Sequence, residues 1–323
     1  MNFLELFTNK TIYHVSDSDL DGISCRIIAE YFIKPICKKY IPFNTSDRSL
    51  PDFDWNVMSE SDIVIFTDIA PSDLEMVNKI KLEKDLYIFD HHISSRSQLG
   101  DFENYHFDET KCGTKLFFDN VTNNVRLKKS IFQFVELVNT YDLYQVNSSL
   151  WRNAKALNNI LYSYVDWKYA SDTPDTHKYN RFIDMQLRKF DDQRVKNYYF
   201  TGMETQNALK AEKKEKTNYD EAKRNLQFRV DNSNNKFMYT ECVSKVSWVS
   251  SLILREFSDY QYLAIRGTWD KKSKKVSLRS NNGFDVSLIA EKWGGGGHLA
   301  ASAFEFKDDD SFDKFKNGEI SLI

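Results

Sequence analysis

Several features that would assign this 323-residue sequence to other protein classes are scarce or missing. It has no run of 18 apolar residues, so nothing in it predicts a membrane span. Residues 1–5 lack the basic and then apolar pattern of a signal peptide. Lysine and arginine (44) nearly balance aspartate and glutamate (47), and the net charge of −3 argues against a protein that grips long nucleic acid by bulk charge.

Cysteine and glycine are also sparse. The four cysteines, Cys25, Cys37, Cys112 and Cys242, form no CxxC pair, which disfavours a disulfide framework or a cysteine zinc site and favours a reducing, cytoplasmic compartment. The chain has only 11 glycines, yet four of them stand together at 294–297. Hydrophobic residues make up 41% and charged residues 28%, which is typical of a globular protein with room for about two domains.

The first 95 residues alternate between apolar runs and helical spacing. Residues 11–15, 62–66 and 86–89 are rich in apolar and β-branched side chains, as buried parallel strands are. Strands that alternate with helices predict an α/β domain with a doubly wound, mostly parallel sheet.

The rest of the chain divides by pattern. The sequence predicts that residues 1–205 form a first domain, mainly helical after 109. Residues 206–228 are highly charged, and we interpret them as a helical linker. From 229 to 323 short strands and helices predict a smaller α+β domain.

Acidic residues and histidines follow each of the three predicted strands. In order along the chain they are Asp17, Asp19 and Asp21, then Asp68, then Asp90, His91 and His92. Ligands bind outside the carboxyl ends of the strands in such sheets, so we expect these side chains to converge at one edge. Clustered carboxylates repel one another unless a cation is present, and mixed oxygen and nitrogen ligands suit Mn²⁺, Mg²⁺ or Fe²⁺.

The glycine run forms a second candidate site together with His298. It lies between a predicted helix and an apolar segment, which is unlike the polar flanks of a flexible linker. Consecutive glycines allow backbone amides to approach an anion, and the adjacent His298 can hydrogen-bond a phosphate. A metal cluster and a phosphate-binding loop together predict phosphoryl transfer or phosphate-ester hydrolysis.

The ordered motifs resemble those of the DHH family of phosphoesterases. Asp90-His91-His92 is the signature, and residues 17–22 resemble the first motif. Asp68 and Asp142 match the aspartates of the second and fourth motifs. The segments 277–280 and 295–298 resemble the substrate strand and the glycine loop of the DHH-associated C-terminal domain. The resemblance therefore spans residues 17 to 304.

This resemblance implies a role for each matching residue. Two divalent metals, most often Mn²⁺, with Mg²⁺ or Fe²⁺ as alternatives, would be bound by Asp17, Asp19, Asp21, Asp68, His91 and Asp142. His92 would contact the scissile phosphate or help protonate the leaving oxygen, and Asp90 would orient a ligand. The substrate would be held by Arg279, Ser280, Gly295, Gly296, Gly297 and His298. Two departures are Asp17, where many members carry histidine, and Ala303, where the family usually has glycine.

The leading functional hypothesis is an oligoribonuclease-like phosphodiesterase that releases nucleoside monophosphates from short oligonucleotides. The resemblance leaves open a 3′-phosphoadenosine 5′-phosphate phosphatase and a linear or cyclic dinucleotide phosphodiesterase. A RecJ-type exonuclease, which is longer and carries an extra OB-fold, and a non-catalytic nucleotide-binding module are less favoured. We expect no membrane partner and no long duplex partner, and a homodimer stays open.

Overall fold

A computed structural model describes residues 3–100, 102–123, 127–165, 175–244, 246–268, 272–281, 283–319 and 321–322, apart from the side chains at 94, 97, 98, 175, 176 and 298. The chain forms two compact units, Met1–Leu209 and Lys210–Ile323. The predicted boundaries at 205 and 229 stay a proposal. No helix in the described ranges has the length and apolarity that crossing a bilayer requires.

The first unit is built on a five-stranded parallel sheet. Its strands are β1 (Thr11–Ser16), β2 (Lys39–Asn44), β3 (Ile63–Thr67), β4 (Asp85–Asp90) and β5 (Tyr105–Phe107), in the order β2-β1-β3-β4-β5. Every residue of β1 and β3 is buried, because helices cover both faces of the central strands. The predicted doubly wound α/β sheet is therefore confirmed.

The helices of the first unit complete both layers and the helical middle of the chain. After a short 3₁₀ helix (Phe3–Phe7) they are α1 (Leu20–Phe32), α2 (Trp55–Glu60), α3 (Leu74–Glu83), α4 (Ile93–Leu99), α5 (Gly113–Val121), α6 (Lys129–Asp142), α7 (Trp151–Ser163), α8 (Asp175–Lys178) and α9 (Asn180–Asp191). One apolar core lies under α1, α5 and α6, and a second lies on the opposite face of the sheet. Because β1, β3 and β4 are parallel neighbours, their carboxyl ends lie side by side, where ligands bind in sheets of this kind.

A long charged helix, α10 (Gly202–Arg224), follows. Its first turn is fixed by a capping box, in which the Glu204 amide donates to Thr201 Oγ1 and the Thr201 amide donates to Glu204 Oε2. The Glu204 carboxylate also accepts two 2.8 Å contacts from the buried Lys189 ammonium, which ties the start of α10 to α9.

The second unit contains a mixed six-stranded sheet in the order β10-β11-β9-β8-β7-β6. The strands are β6 (Gln227–Val230), β7 (Lys236–Cys242), β8 (Tyr262–Gly267), β9 (Lys275–Ser280), β10 (Gly296–His298) and β11 (Ala301–Glu305). The helices are α11 (Val246–Glu256), α12 (Ser287–Lys292) and α13 (Asp309–Lys316). Apolar residues pack on both faces of this sheet, which confirms the smaller α+β domain.

Candidate metal centre

Four of the predicted ligands lie close together at the carboxyl ends of β1, β3 and β4. The Nε2 atom of His91 lies 3.3 Å from Asp68 Oδ1, 3.4 Å from Asp142 Oδ2 and 3.8 Å from Asp21 Oδ2. Asp68 adopts a left-handed backbone with φ of 59°, a conformation that aspartate tolerates better than most residues. This sharp turn directs the Asp68 carboxylate across the end of the sheet.

Asp21 is held by the N-terminus of α5. Its Oδ2 accepts a 2.6 Å hydrogen bond from the Gly113 amide, and its Oδ1 accepts one of 2.8 Å from the Thr114 amide. The Thr114 hydroxyl donates to the Asp21 carbonyl at 2.7 Å. These amides are free to bind Asp21 because the first N–H groups of a helix have no partner within the helix. Both carboxylate oxygens of Asp21 are therefore fixed in orientation.

Asp142 arrives from a different part of the chain, at the last residue of α6. One turn earlier, Asn139 Oδ1 accepts a 2.9 Å hydrogen bond from the Cys112 amide, directly before the α5 residues that bind Asp21. This contact locks the end of α6 to the start of α5. This contact places the Asp142 carboxylate, at the C-terminus of α6, close to the end of the sheet.

The electrostatics of this cluster favour a bound cation. Burial, followed by the negative charges of Asp21, Asp19 and Asp142, raises the pKa of Asp68 well above its ordinary value. The pKa of Asp142 is raised in the same way. Burial lowers the pKa of His91, which keeps its imidazole neutral and able to bind a metal. A divalent cation would remove the repulsion among these carboxylates, so the residues present fit a metal centre.

Within the described side chains, two groups hold their ligand atoms within 4.8 Å of one another. They are Asp68, His91 and His92, and Asp21, His91 and Asp142. Neither group includes Asp17 or Asp19. The Asp19 Oδ1 instead caps α1 by accepting from the amides of Asp21 and Gly22. The charges of both Asp17 and Asp19 nevertheless raise the pKa of Asp142.

His92 is oriented by a hydrogen-bonded chain of polar groups. Its Nδ1 lies 2.6 Å from Asp90 Oδ1, and Asp90 Oδ2 accepts a 2.5 Å hydrogen bond from the Ser95 hydroxyl. Burial pushes the pKa of Asp90 upward, but the hydrogen bond and charge of His92 and the bond from Ser95 outweigh it, so the pKa is lowered. A charged Asp90 therefore fixes the ring of His92 with Nδ1 occupied.

His14 is placed as a structural residue. Its Nδ1 lies 2.6 Å from the Tyr40 hydroxyl, and its Nε2 lies 2.8 Å from Thr67 Oγ1. Burial lowers the pKa of His14 to about 3, so the ring is neutral. The contact with Thr67 therefore supports the residue that precedes Asp68.

Most of the predicted substrate residues of the second unit lie on two strands, β9 and β10, with β11 between them. The register aligns His298 of β10 with Ala301 of β11, and Ala301 with Arg279 of β9. Burial lowers the pKa of Arg279, whose Nη2 donates to Ser247 Oγ at 3.1 Å. Ser280 Oγ donates to the Phe284 carbonyl. The side chain of His298 lies outside the described atoms.

Part of the glycine run, which the sequence predicts to be an anion-binding loop, forms a β-strand. Gly296 and Gly297 belong to β10, which pairs with β11. A Cβ on Gly295 would lie 2.1 Å from the Ala303 carbonyl oxygen, and one on Gly297 would lie 2.6 Å from that of Ala301. Close packing against β11 is therefore one physical reason for glycine at these two positions. A role in substrate binding stays a proposal.

Comparison with known proteins identifies a matching domain family, a sequence relative and solved structures with the same fold. Residues 253–318 match the DHHA1 domain family. Oligoribonuclease NrnB of Bacillus subtilis strain 168 is 25% identical over 321 residues, which cover 92% of this chain and 74% of the relative. Two solved structures share the fold. One is a pGpG-specific phosphodiesterase, PggH, from Vibrio cholerae, with a TM-score of 0.58 and 12% identity over 96% of this chain and 97% of that one. The other is exonuclease RecJ bound to manganese, with a TM-score of 0.56 and 14% identity over 97% of this chain and 90% of that one.

The chain has the DHH/DHHA1 fold, and its residues 253–318 match the DHHA1 domain family. Over 92% of its length the chain is a distant homologue of the oligoribonuclease NrnB.

Proposed function

We propose that this chain hydrolyses short oligonucleotides to nucleoside monophosphates and that it uses two divalent cations to do so. Mn²⁺ is the proposed metal, and Mg²⁺ and Fe²⁺ are the alternatives. The observation that carries the proposal is the approach of His91 Nε2 to three carboxylates from three separate parts of the fold, at 3.3–3.8 Å. The sequence relationship to an oligoribonuclease over 92% of the chain supports this choice of substrate.

The proposed metal ligands are the six residues implied by the family motifs. Asp21, Asp68, His91 and Asp142 already lie together, and Asp17 and Asp19 would complete the set. Bound divalent cations supply charge neutralisation on the phosphodiester and lower the pKa of water. Such cations suit this donor set because it combines carboxylate oxygens with one imidazole nitrogen.

His92 is the proposed proton donor to the leaving oxygen. Its Nδ1 is occupied by Asp90, so Nε2 is the atom that can carry a proton to substrate. Asp90 holds the orientation of the ring through this contact. In the second unit, Arg279 and Ser280 with the 295–298 segment are the proposed phosphate contacts, since a guanidinium and backbone amides suit a phosphate.

The substrate-length claim is tested by incubating the purified protein and Mn²⁺ with labelled RNA dimers to pentamers and with a 20-mer. We expect the shortest substrates to be cleaved at least ten times faster. Equal or faster cleavage of the 20-mer refutes the claim. Asp68→Asn and His91→Ala should abolish turnover, and activity that survives both substitutions refutes the metal centre.

The same test separates the alternative substrates. Linear diadenylate, a cyclic dinucleotide, 3′-phosphoadenosine 5′-phosphate and pyrophosphate are compared with the RNA dimer under one metal condition. Faster cleavage of linear diadenylate or of the cyclic dinucleotide than of the RNA dimer would narrow the activity to those dinucleotides. Faster hydrolysis of 3′-phosphoadenosine 5′-phosphate would identify a phosphatase and replace the proposal. Binding of these compounds without turnover of any of them would identify a non-catalytic nucleotide-binding module.

A further inference from the structure

Asn44 stands at the last residue of β2, directly opposite Ser16, the last residue of β1. Its side chain is 2% exposed, and its Nδ2 donates to Ser16 Oγ at 2.7 Å and to the Asp17 carbonyl at 3.2 Å. Both protons of the amide are therefore directed at the segment where β1 turns toward the metal centre. None of the family motifs quoted above includes Asn44.

The other end of the Asn44 amide is held by a buried arginine. Arg26, 6% exposed, donates from Nη1 to Asn44 Oδ1 at 3.0 Å. The same guanidinium donates to Glu30 Oε1 at 2.8 Å and to Asn180 Oδ1 at 3.0 Å. A planar guanidinium with several bonds has little rotational freedom, so Arg26 fixes the orientation of the Asn44 amide.

Asp17 is confined on its other side by α1. A Cβ on Gly22 would lie 2.2 Å from the Asp17 carbonyl oxygen, so the absence of a side chain at Gly22 allows this close approach. The carbonyl of Asp17 is thus packed against Gly22 and bonded by Asn44. Fixing this peptide restricts the direction in which the Asp17 carboxylate leaves the backbone.

We propose that Asn44, oriented by Arg26, is a positioning residue for Asp17 and thereby sets the affinity of the metal that Asp17 binds. The inference rests on the proposed function, because it takes Asp17 as a metal ligand. Groups that orient metal ligands are worth about 10–100-fold in metal affinity. Loss of the Asn44 amide should therefore weaken Mn²⁺ binding by that factor at one of the two sites.

The test compares Asn44→Ala and Asn44→Asp with Asn180→Ala. The Asn44→Asp carboxylate still accepts from Arg26 but cannot donate to the Asp17 carbonyl. The matched control, Asn180→Ala, removes another Arg26 acceptor and leaves the contact between Asn44 and Asp17 in place. For each protein the melting temperature is measured without metal, and Mn²⁺ binding is titrated by calorimetry and by the electron paramagnetic resonance signal of free Mn²⁺.

We expect weaker binding of one Mn²⁺ in both Asn44 variants, by at least tenfold, and binding within twofold of wild type in Asn180→Ala. Folded Asn44 variants with wild-type affinity overturn the inference, as does an equal loss of affinity in Asn180→Ala. Failure of both Asn44 variants to fold also counts against it, because a structural role then suffices. A wild-type protein that binds no Mn²⁺ overturns the proposed function itself.

Discussion

Gly113 packs against Asp68 so closely that a Cβ at position 113 would lie 2.6 Å from the Asp68 Cβ and 3.0 Å from its Oδ1. The same glycine donates its amide to Asp21 Oδ2. A single residue at the start of α5 therefore makes room for one proposed metal ligand and binds another. This relationship links the sheet edge to the helical half of the first unit.

The first prediction concerns Gly113→Ala. The added methyl group must displace the Asp68 carboxylate or the start of α5, because the nearest atoms belong to a buried backbone and its Cβ. We expect Mn²⁺ affinity to fall about tenfold or more, as when a metal ligand loses its orientation. Calorimetric titration with Mn²⁺ measures the effect.

The control is Gly202→Ala at the start of α10, where a Cβ would meet nothing within 4 Å. It should bind Mn²⁺ like wild type. Unchanged affinity in a folded Gly113→Ala protein would contradict the assignment of Asp68 and Asp21 to the metal centre.

The second prediction concerns the stability of the metal-free protein. The pKa of Asp68 is raised by burial and by neighbouring negative charges, so its contribution to stability is present below pH 4 and is lost as pH rises through the raised pKa. Asp68→Asn carries no charge, and asparagine tolerates the φ of 59°. We expect the variant to melt higher than wild type without metal, by a margin that grows from pH 5 to pH 8.

Mn²⁺ should reverse this order, because only wild type keeps the Asp68 carboxylate that would bind the metal. Differential scanning calorimetry with EDTA and with Mn²⁺ measures both effects. Asp73→Asn is the matched control, since Asp73 caps α3 at an exposed position and asparagine caps equally well. An Asp68→Asn protein that Mn²⁺ stabilises as strongly as wild type would exclude Asp68 as a ligand.

The sequence was sufficient to predict the parallel sheet and the strand-end cluster, because buried strands appear as continuous apolar runs. The edge strands were missed for a physical reason. β2 is only half-buried and contains one lysine and one proline, and β5 has three residues, so neither shows a strong pattern. Missing β2 also hid Asn44 as a partner of the β1 turn.

The hydrogen bonds that assemble the site were largely hidden as well. The bond from Gly113 to Asp21 joins residues 92 apart, and no local pattern specifies such a contact. A weak signal existed, since Gly113 and Thr114 open an apolar helix whose free amides favour a carboxylate. The convergence of Asp142 on His91 followed only from the family resemblance, because it depends on the packing of α6.

The third prediction concerns the pH dependence of metal binding. Asp68 and Asp142 have raised pKa values, chiefly from burial, so they hold protons in the metal-free protein at a higher pH than ordinary carboxyls do. A metal must displace those protons. We expect Mn²⁺ affinity to rise from pH 5 to pH 8, with protons released on binding. Calorimetry in buffers of different ionisation enthalpy counts them.

Asp142→Asn removes one of these carboxyls and should release fewer protons per bound Mn²⁺. Affinity that is flat between pH 5 and pH 8, with no proton release in wild type, would mean that these carboxyls are already ionised before the metal binds.

The last prediction separates proton transfer from metal binding. Asp90 contacts His92 Nδ1 at 2.6 Å, and within the described side chains it belongs to neither close group of candidate ligands. Asp90→Asn replaces the carboxylate that orients the His92 ring through Nδ1. We expect kcat on an RNA dinucleotide to fall about 10²–10⁴-fold, the usual contribution of a positioned acid or base. Mn²⁺ affinity and KM should stay within about threefold, because Asp90 contacts His92, which is not one of the six proposed metal ligands.

Asp85→Asn, at the exposed opposite end of β4, is the matched control and should leave kcat unchanged. Steady-state kinetics and Mn²⁺ titration on both variants decide the matter, and a loss of metal affinity equal to the loss of kcat would place Asp90 in metal binding instead.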